Sequence, residues 1–134
     1  MKKILITLFC LLSLQVSCFS AYWYEITKTM SVDFESIKVS QNKQSTYITG
    51  WFKLLNNKDK GISCELYKVT IDLNNNGKYR LDKYIAYDKK GNVIADYQDE
   101  NSKFYEYAPD SLGDNFYLIL SKLGLTKLEV KNTQ

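Results

Sequence analysis

Asp72, Asn74, Asn76 and Gly77 fall at the spacing D-x-N-x-N-G, which opens the loop that EF-hand proteins wrap around calcium. Oxygen ligands at alternate positions suit a hard cation, and glycine at the sixth allows the sharp turn. Two requirements are unmet. Position twelve, where calcium needs a bidentate acid, is Lys83, and the flanks "YKVTIDL" and "YRLDKYIAY" have the Tyr, Ile and Val content of strands. The same residues suit a hairpin. A three-residue loop Asn75-Asn76-Gly77 sets Leu73 against Tyr79, Ile71 against Leu81, Val69 against Lys83 and Tyr67 against Ile85, with Asp72 across from Arg80 on the other face. A two-residue loop would oppose Ile71 to Asp82 and Leu73 to Arg80, a slip that a one-sided sheet resists. A turn is therefore expected here, and no metal ligand set is assigned.

Other chemistry is sparse. The chain has no histidine, which removes the commonest general base, the usual metal ligand and the Ser-His and Cys-His pairs. It lacks zinc spacings, a P-loop and a dinucleotide fingerprint. The acid pair Asp99-Glu100 sits in a polar loop. No catalytic, cofactor-binding or metal residue is assigned, and the expectation is a protein that is not an enzyme. What the chain does have is tyrosine: all 11, with Trp23 and Trp51, follow residue 21. Tyrosine packs one apolar side while keeping its hydroxyl wet, so it serves both sheets and contact surfaces. The candidate partner-binding residues are Lys68, Arg80 and Tyr84, all predicted on the polar face of the sheet.

The elements that would position them follow from period and turn chemistry. "YDKKGNVI" places Lys89-Lys90-Gly91 in a second glycine-closed loop, setting Tyr87 against Val93, Ile85 against Ala95 and Lys83 against Tyr97. The two hairpins then share an apolar face of Tyr67, Val69, Ile71, Leu73, Leu81, Ile85, Tyr87, Val93, Ala95 and Tyr97, with Lys83 as its misfit. The other face carries Lys68, Thr70, Asp72, Arg80, Asp82, Tyr84 and Asp96. An apolar face needs a cover. "APDSLGDNFYLILSKLG" offers one: Asp110 or Ser111 as N-cap, Asp114 completing a capping box, a stripe of Leu112, Phe116, Ile119, Leu120 and Leu123, Lys122 in the last turn and Gly124 at C′. "STYITGWFKLL" reads as a further strand in either of two registers, "AYWYEI" as an opening strand, "SVDFESIKVS" as a short strand into a turn, and "KNTQ" as a frayed tail. The fold class is α+β: a mainly antiparallel meander of about five or six strands, with one C-terminal α-helix on its apolar face.

Residues 1–20 read as a signal peptide: basic Met1-Lys2-Lys3, apolar Ile4 to Val16, then small residues allowing cleavage after Ser20, or lipidation at Cys18. Residues 21–134 form a single domain with no second run able to span a membrane. Two of the 18 basic residues, Lys2 and Lys3, lie in the leader and none of the 15 acidic ones does, so the mature chain keeps an excess of one positive charge. Such a balance does not select nucleic acid. Export removes Cys10 and Cys18 and leaves Cys64, which forms either a half-buried strand residue or an intermolecular disulfide in a homodimer. The expected location is the periplasm or the outer cell surface.

The order of these features resembles the surface-adhesin E-like family of exported bacterial domains. The residues that carry the likeness are "AYWYEI", "VDFESIKVSQN", "TGWFKL", "YKVTIDL" through "KYRLDKYIAYDKKGNVI", and "APDSLGDNFYLIL". They cover nearly all of 21–120. Where many relatives carry cysteines, this chain has Leu73 and the Leu120-Ser121 region. The resemblance implies a sheet packed by one terminal helix and an exported module contacting host matrix or serum proteins. The other functional expectation is a periplasmic structural or inhibitory protein acting on an envelope partner.

Overall fold

The computed structural model describes residues 22–133, apart from 57, 59, 60, 76 and 100. The expected leader, with Cys10 and Cys18, lies outside the described residues. Seven strands run β1 Trp23–Thr27, β2 Met30–Gln41, β3 Thr46–Leu55, β4 Cys64–Asp72, β5 Lys78–Tyr87, β6 Val93–Gln98 and β7 Tyr105–Glu106, followed by helix α1, Leu112–Asn132. The first six pair in chain order, every neighbour antiparallel, and β7 pairs with the start of β5. The helix packs on β2 to β5. This is the α+β meander the patterning predicts.

One face is covered by the helix and the other is open. Val32, Ile37, Ile48, Phe52, Val69, Ile71, Phe116 and Leu120 form the buried core between sheet and helix. The two registers left open for 45–55 are thereby resolved: Ile48 and Phe52 point inward, and Tyr47 and Trp51 point to the open face. Complementary glycines bring helix and sheet close. A side chain at Gly50 of β3 would meet Leu120 at 2.8 Å, and one at Gly124 of α1 would run into Ile48.

Gly124 is therefore not the C′ residue expected of it. The helix continues through it to Asn132, taking in residues read as a loose tail. Lys127, one turn further on, donates from Nζ to the carbonyls of Phe34 and Ile37 and sits over the Phe34 ring at 4.6 Å. The helix start is as expected: Ser111 Oγ accepts from the Asp114 N–H, while Asp114 Oδ2 accepts from the Asp110 N–H.

Strand β2 is longer than predicted because it absorbs a bulge instead of ending. Asp33 opposes Trp51, but the next pair is Lys38 with Thr49. Asp33 Oδ1 accepts from the N–H groups of Glu35 and Ser36, and Ser36 Oγ accepts the Trp51 N–H in place of a ladder carbonyl. Backbone groups left over by the bulge are thus satisfied locally.

The hairpin at 72–78 confirms the strands and corrects the pairing. Gly77 is left-handed, with φ of 77°, but Asp72 opposes Lys78, not Arg80, and Ile71 opposes Tyr79, not Leu81. The loop is two residues longer than expected, a shift that leaves the side chains of the pairs from Asp72–Lys78 to Val69–Leu81 on their predicted faces. Its cause is Asp72, 2% exposed. Its carboxylate accepts from the Asn74 N–H, the Asn75 amide and Ser45 Oγ, which fixes the turn one pair earlier. The loop at 89–91 forms as predicted, with Gly91 left-handed and Tyr87 opposite Val93.

Candidate functional site

A single extra residue in β5 decides what the open face presents. Val69 pairs with Leu81, but the next pair is Lys68 with Lys83, so Asp82 is a bulge. Beyond it the parity of β5 reverses. Tyr84 and Ala86 turn to the covered side, opposite Tyr67 and Glu65, while Ile85 and Tyr87 turn to the open side, opposite Leu66 and Cys64. A second bulge, between Ala86 and Tyr87 in the pairing with β6, places Val93 with Tyr87 on the open face and returns Ala95 to the covered one, across from Ala86 instead of Ile85. Tyr97 is covered-side as expected, but it opposes Tyr84 and not Lys83. The predicted positions of Ile85, Tyr87 and Val93 on the helix-covered face are thus corrected. The misfit of Lys83 disappears, because the bulge carries it to the open side with Asp82.

The open face consequently has two zones. At one end the cross-strand row Leu55, Cys64, Tyr87, Val93 lies beside Lys53, Leu66, Ile85, Asp96. Leu55 is 46% and Val93 55% exposed. Next comes a row of Trp23, Asp33, Trp51, Lys68, Lys83 and Gln98, running across all six strands. Lys53 Nζ stands 4.6 Å over the Trp23 ring. Lys83 reaches Asp96 at 3.6 Å. Lys68, directly opposite Lys83, has no ion-pair or hydrogen-bond acceptor among the described residues. Like charges opposed across a ladder repel, so this pair favours an incoming anionic group.

The other zone is internally satisfied. Thr70 Oγ1 donates to Asp82 Oδ2 and accepts from Thr49 Oγ1, and Arg80 Nε donates to Asp82 Oδ1 at 2.6 Å. Phe104 caps this end, stacked on Tyr47 at 5.7 Å with Arg80 5.0 Å from its ring. Arg80 is thus held in place by its own sheet.

Of the three residues singled out from sequence, Lys68 and Arg80 share the open face and Tyr84 does not. Tyr84 lies on the covered side, its ring 5.0 Å from that of Tyr67, and donates to Glu65 Oε1. Trp51, Leu66, Ile85 and Tyr87 were not among the sequence candidates. The signal that could have found them was Lys83 itself, a lone cation on an otherwise apolar face. Cys64 is a free, half-buried cysteine in the apolar row, and burial pushes its thiol pKa up. Among the described residues no cluster of Cys, Asp and Glu could hold a metal ion, and no helix is long and apolar enough to cross a membrane. Comparison with protein-family models, curated proteins and solved structures finds no match to this chain.

Proposed function

We propose that the chain is an exported, non-catalytic binding module that holds a protein partner on the open face of its sheet. The observation that carries this reading is the apolar zone of Leu55, Leu66, Ile85, Tyr87 and Val93, rimmed by Trp51, Lys53, Lys68, Lys83 and Asp96. An apolar centre within an aromatic and charged border is the anatomy of a recognition surface. The leader-like residues 1–20 and the lack of histidine support export and argue against acid-base chemistry. The likeness to surface-adhesin E-like domains supports a partner among host matrix or serum proteins.

The test is retention of such proteins by the exported, purified chain. Trp51→Ala and Lys68→Glu should each weaken retention by about tenfold while leaving the thermal midpoint nearly unchanged, since both side chains are outside the core. A broad panel with no retained protein, or full retention by both variants, would overturn the reading. Protease accessibility on intact cells supports a surface adhesin; protection there, with release from the periplasm, supports an envelope partner.

A further inference from the structure

The covered side of the sheet extends beyond the helix at β5 and β6. There the register aligns Phe52, Tyr67, Tyr84 and Tyr97 across four strands. Phe52 is fully buried under Phe116 at the inner end, and Tyr97 is 55% exposed at the outer end. The neighbouring row is Leu54, Glu65, Ala86, Ala95. Of its two alanines, Ala86 is fully buried beside the tyrosines and Ala95 is half-buried, with Glu65 next to them in the row.

Glu65 is half-buried, and one of its oxygens is fully engaged. Oε1 accepts from Tyr84 at 2.7 Å and from Tyr67 at 3.1 Å, and those rings are tilted by 59° to form a corner. Oε2 has no hydrogen-bond partner among the described residues. Since no buried side-chain polar atom there lacks a partner, Oε2 meets solvent. The ion pairs among the described residues are Arg80 with Asp82 and Lys83 with Asp96, so none involves Glu65. The solvent-facing oxygen is open to pairing with an incoming cation, and phenol rings attract cations through their negative faces.

We propose that Glu65, Tyr67, Tyr84 and Tyr97 form a recognition site for an organic cation, an ammonium or guanidinium group. The two phenol donors fix the carboxylate, the free oxygen takes the charge, and the ring faces contact its apolar substituents. A cleft of about 240 Å³ between sheet and helix, lined by Tyr67, Leu81, Tyr105, Leu112 and Phe116, adjoins at Tyr67 and has room for an apolar stem. The site is on the opposite side from the open face and stands independently of the binding function assigned there.

The experiment is titration of the exported protein with choline and with methylguanidinium, followed by tyrosine ring NMR shifts. The neutral choline isostere 3,3-dimethylbutan-1-ol is the control. Saturable shifts are expected with a cation, about tenfold weaker with the alcohol, and the better cation separates a quaternary amine from an arginine-like source. Glu65→Gln should lose about tenfold in affinity. Tyr97→Ala, at the exposed edge and outside the Glu65 hydrogen bonds, should lose severalfold while the fold is kept. Lys68→Glu on the open face should bind the cation as the parent does. No saturation by either cation, equal binding of the alcohol, or unchanged affinity in both Glu65→Gln and Tyr97→Ala would overturn the assignment.

Discussion

Replacing Gly124 with alanine isolates what holds the helix to the sheet. In a free helix the change stabilises by about 1 kcal/mol, because glycine loses more backbone entropy on folding. Here the new methyl would enter the Ile48 side chain, whose Cγ2 and Cγ1 lie 2.8 and 3.0 Å from its position, with Cδ1 closer still. Ile48 is fully buried in β3 and cannot swing into solvent, and overpacking of such a core costs about 1–3 kcal/mol. The clash outweighs the propensity gain, for a net loss of up to about 2 kcal/mol. Ile48→Val removes Cδ1 and should cost about 0.5–1.5 kcal/mol alone. In the Gly124→Ala background it should cost nothing or restore stability, giving a coupling energy of at least about 0.5 kcal/mol. Urea denaturation of the four proteins, followed by tryptophan fluorescence, measures all terms. A Gly124→Ala protein more stable than its parent, with an additive Ile48→Val effect, would refute the close approach of helix and sheet.

Two further outcomes follow from single side chains. Asp72→Ala strands the Asn74 N–H and the Asn75 amide and should cost about 1–3 kcal/mol by urea denaturation; a calcium-dependent rise in the parent's melting temperature would instead make Asp72 a ligand. Burial first, and the Glu65 charge and hydrogen bond next, raise the Tyr67 phenol pKa from its ordinary 10. The folded chain therefore holds this proton more tightly than the unfolded one, so the stability involved is complete below about pH 10 and is lost as pH rises through the folded value. Tyr67→Phe should show a shallower decline in urea midpoint above pH 10; an identical alkaline slope in both proteins would contradict this.

Local chemistry determined much of this protein from sequence alone. Gly77 and Gly91 mark their loops because their left-handed backbone excludes most other residues, and Ser111 with Asp114 marks the helix start because the first N–H groups need an acceptor. The 2- and 3.6-residue periods gave the strands, the helix and the core residues Val69, Ile71, Phe116 and Leu120. Only the tertiary structure decided the faces beyond Asp82. A bulge inserts one residue without altering strand composition, so the sequence pattern continues while the side chains exchange sides. That exchange moves Tyr84 beside Glu65 and sets Ile85 and Tyr87 on the open face. It likewise took the contact with Ile48 to show why Gly124 lies within the helix: a glycine that ends a helix and one that lets another element approach have the same residue type, and only the neighbour distinguishes them.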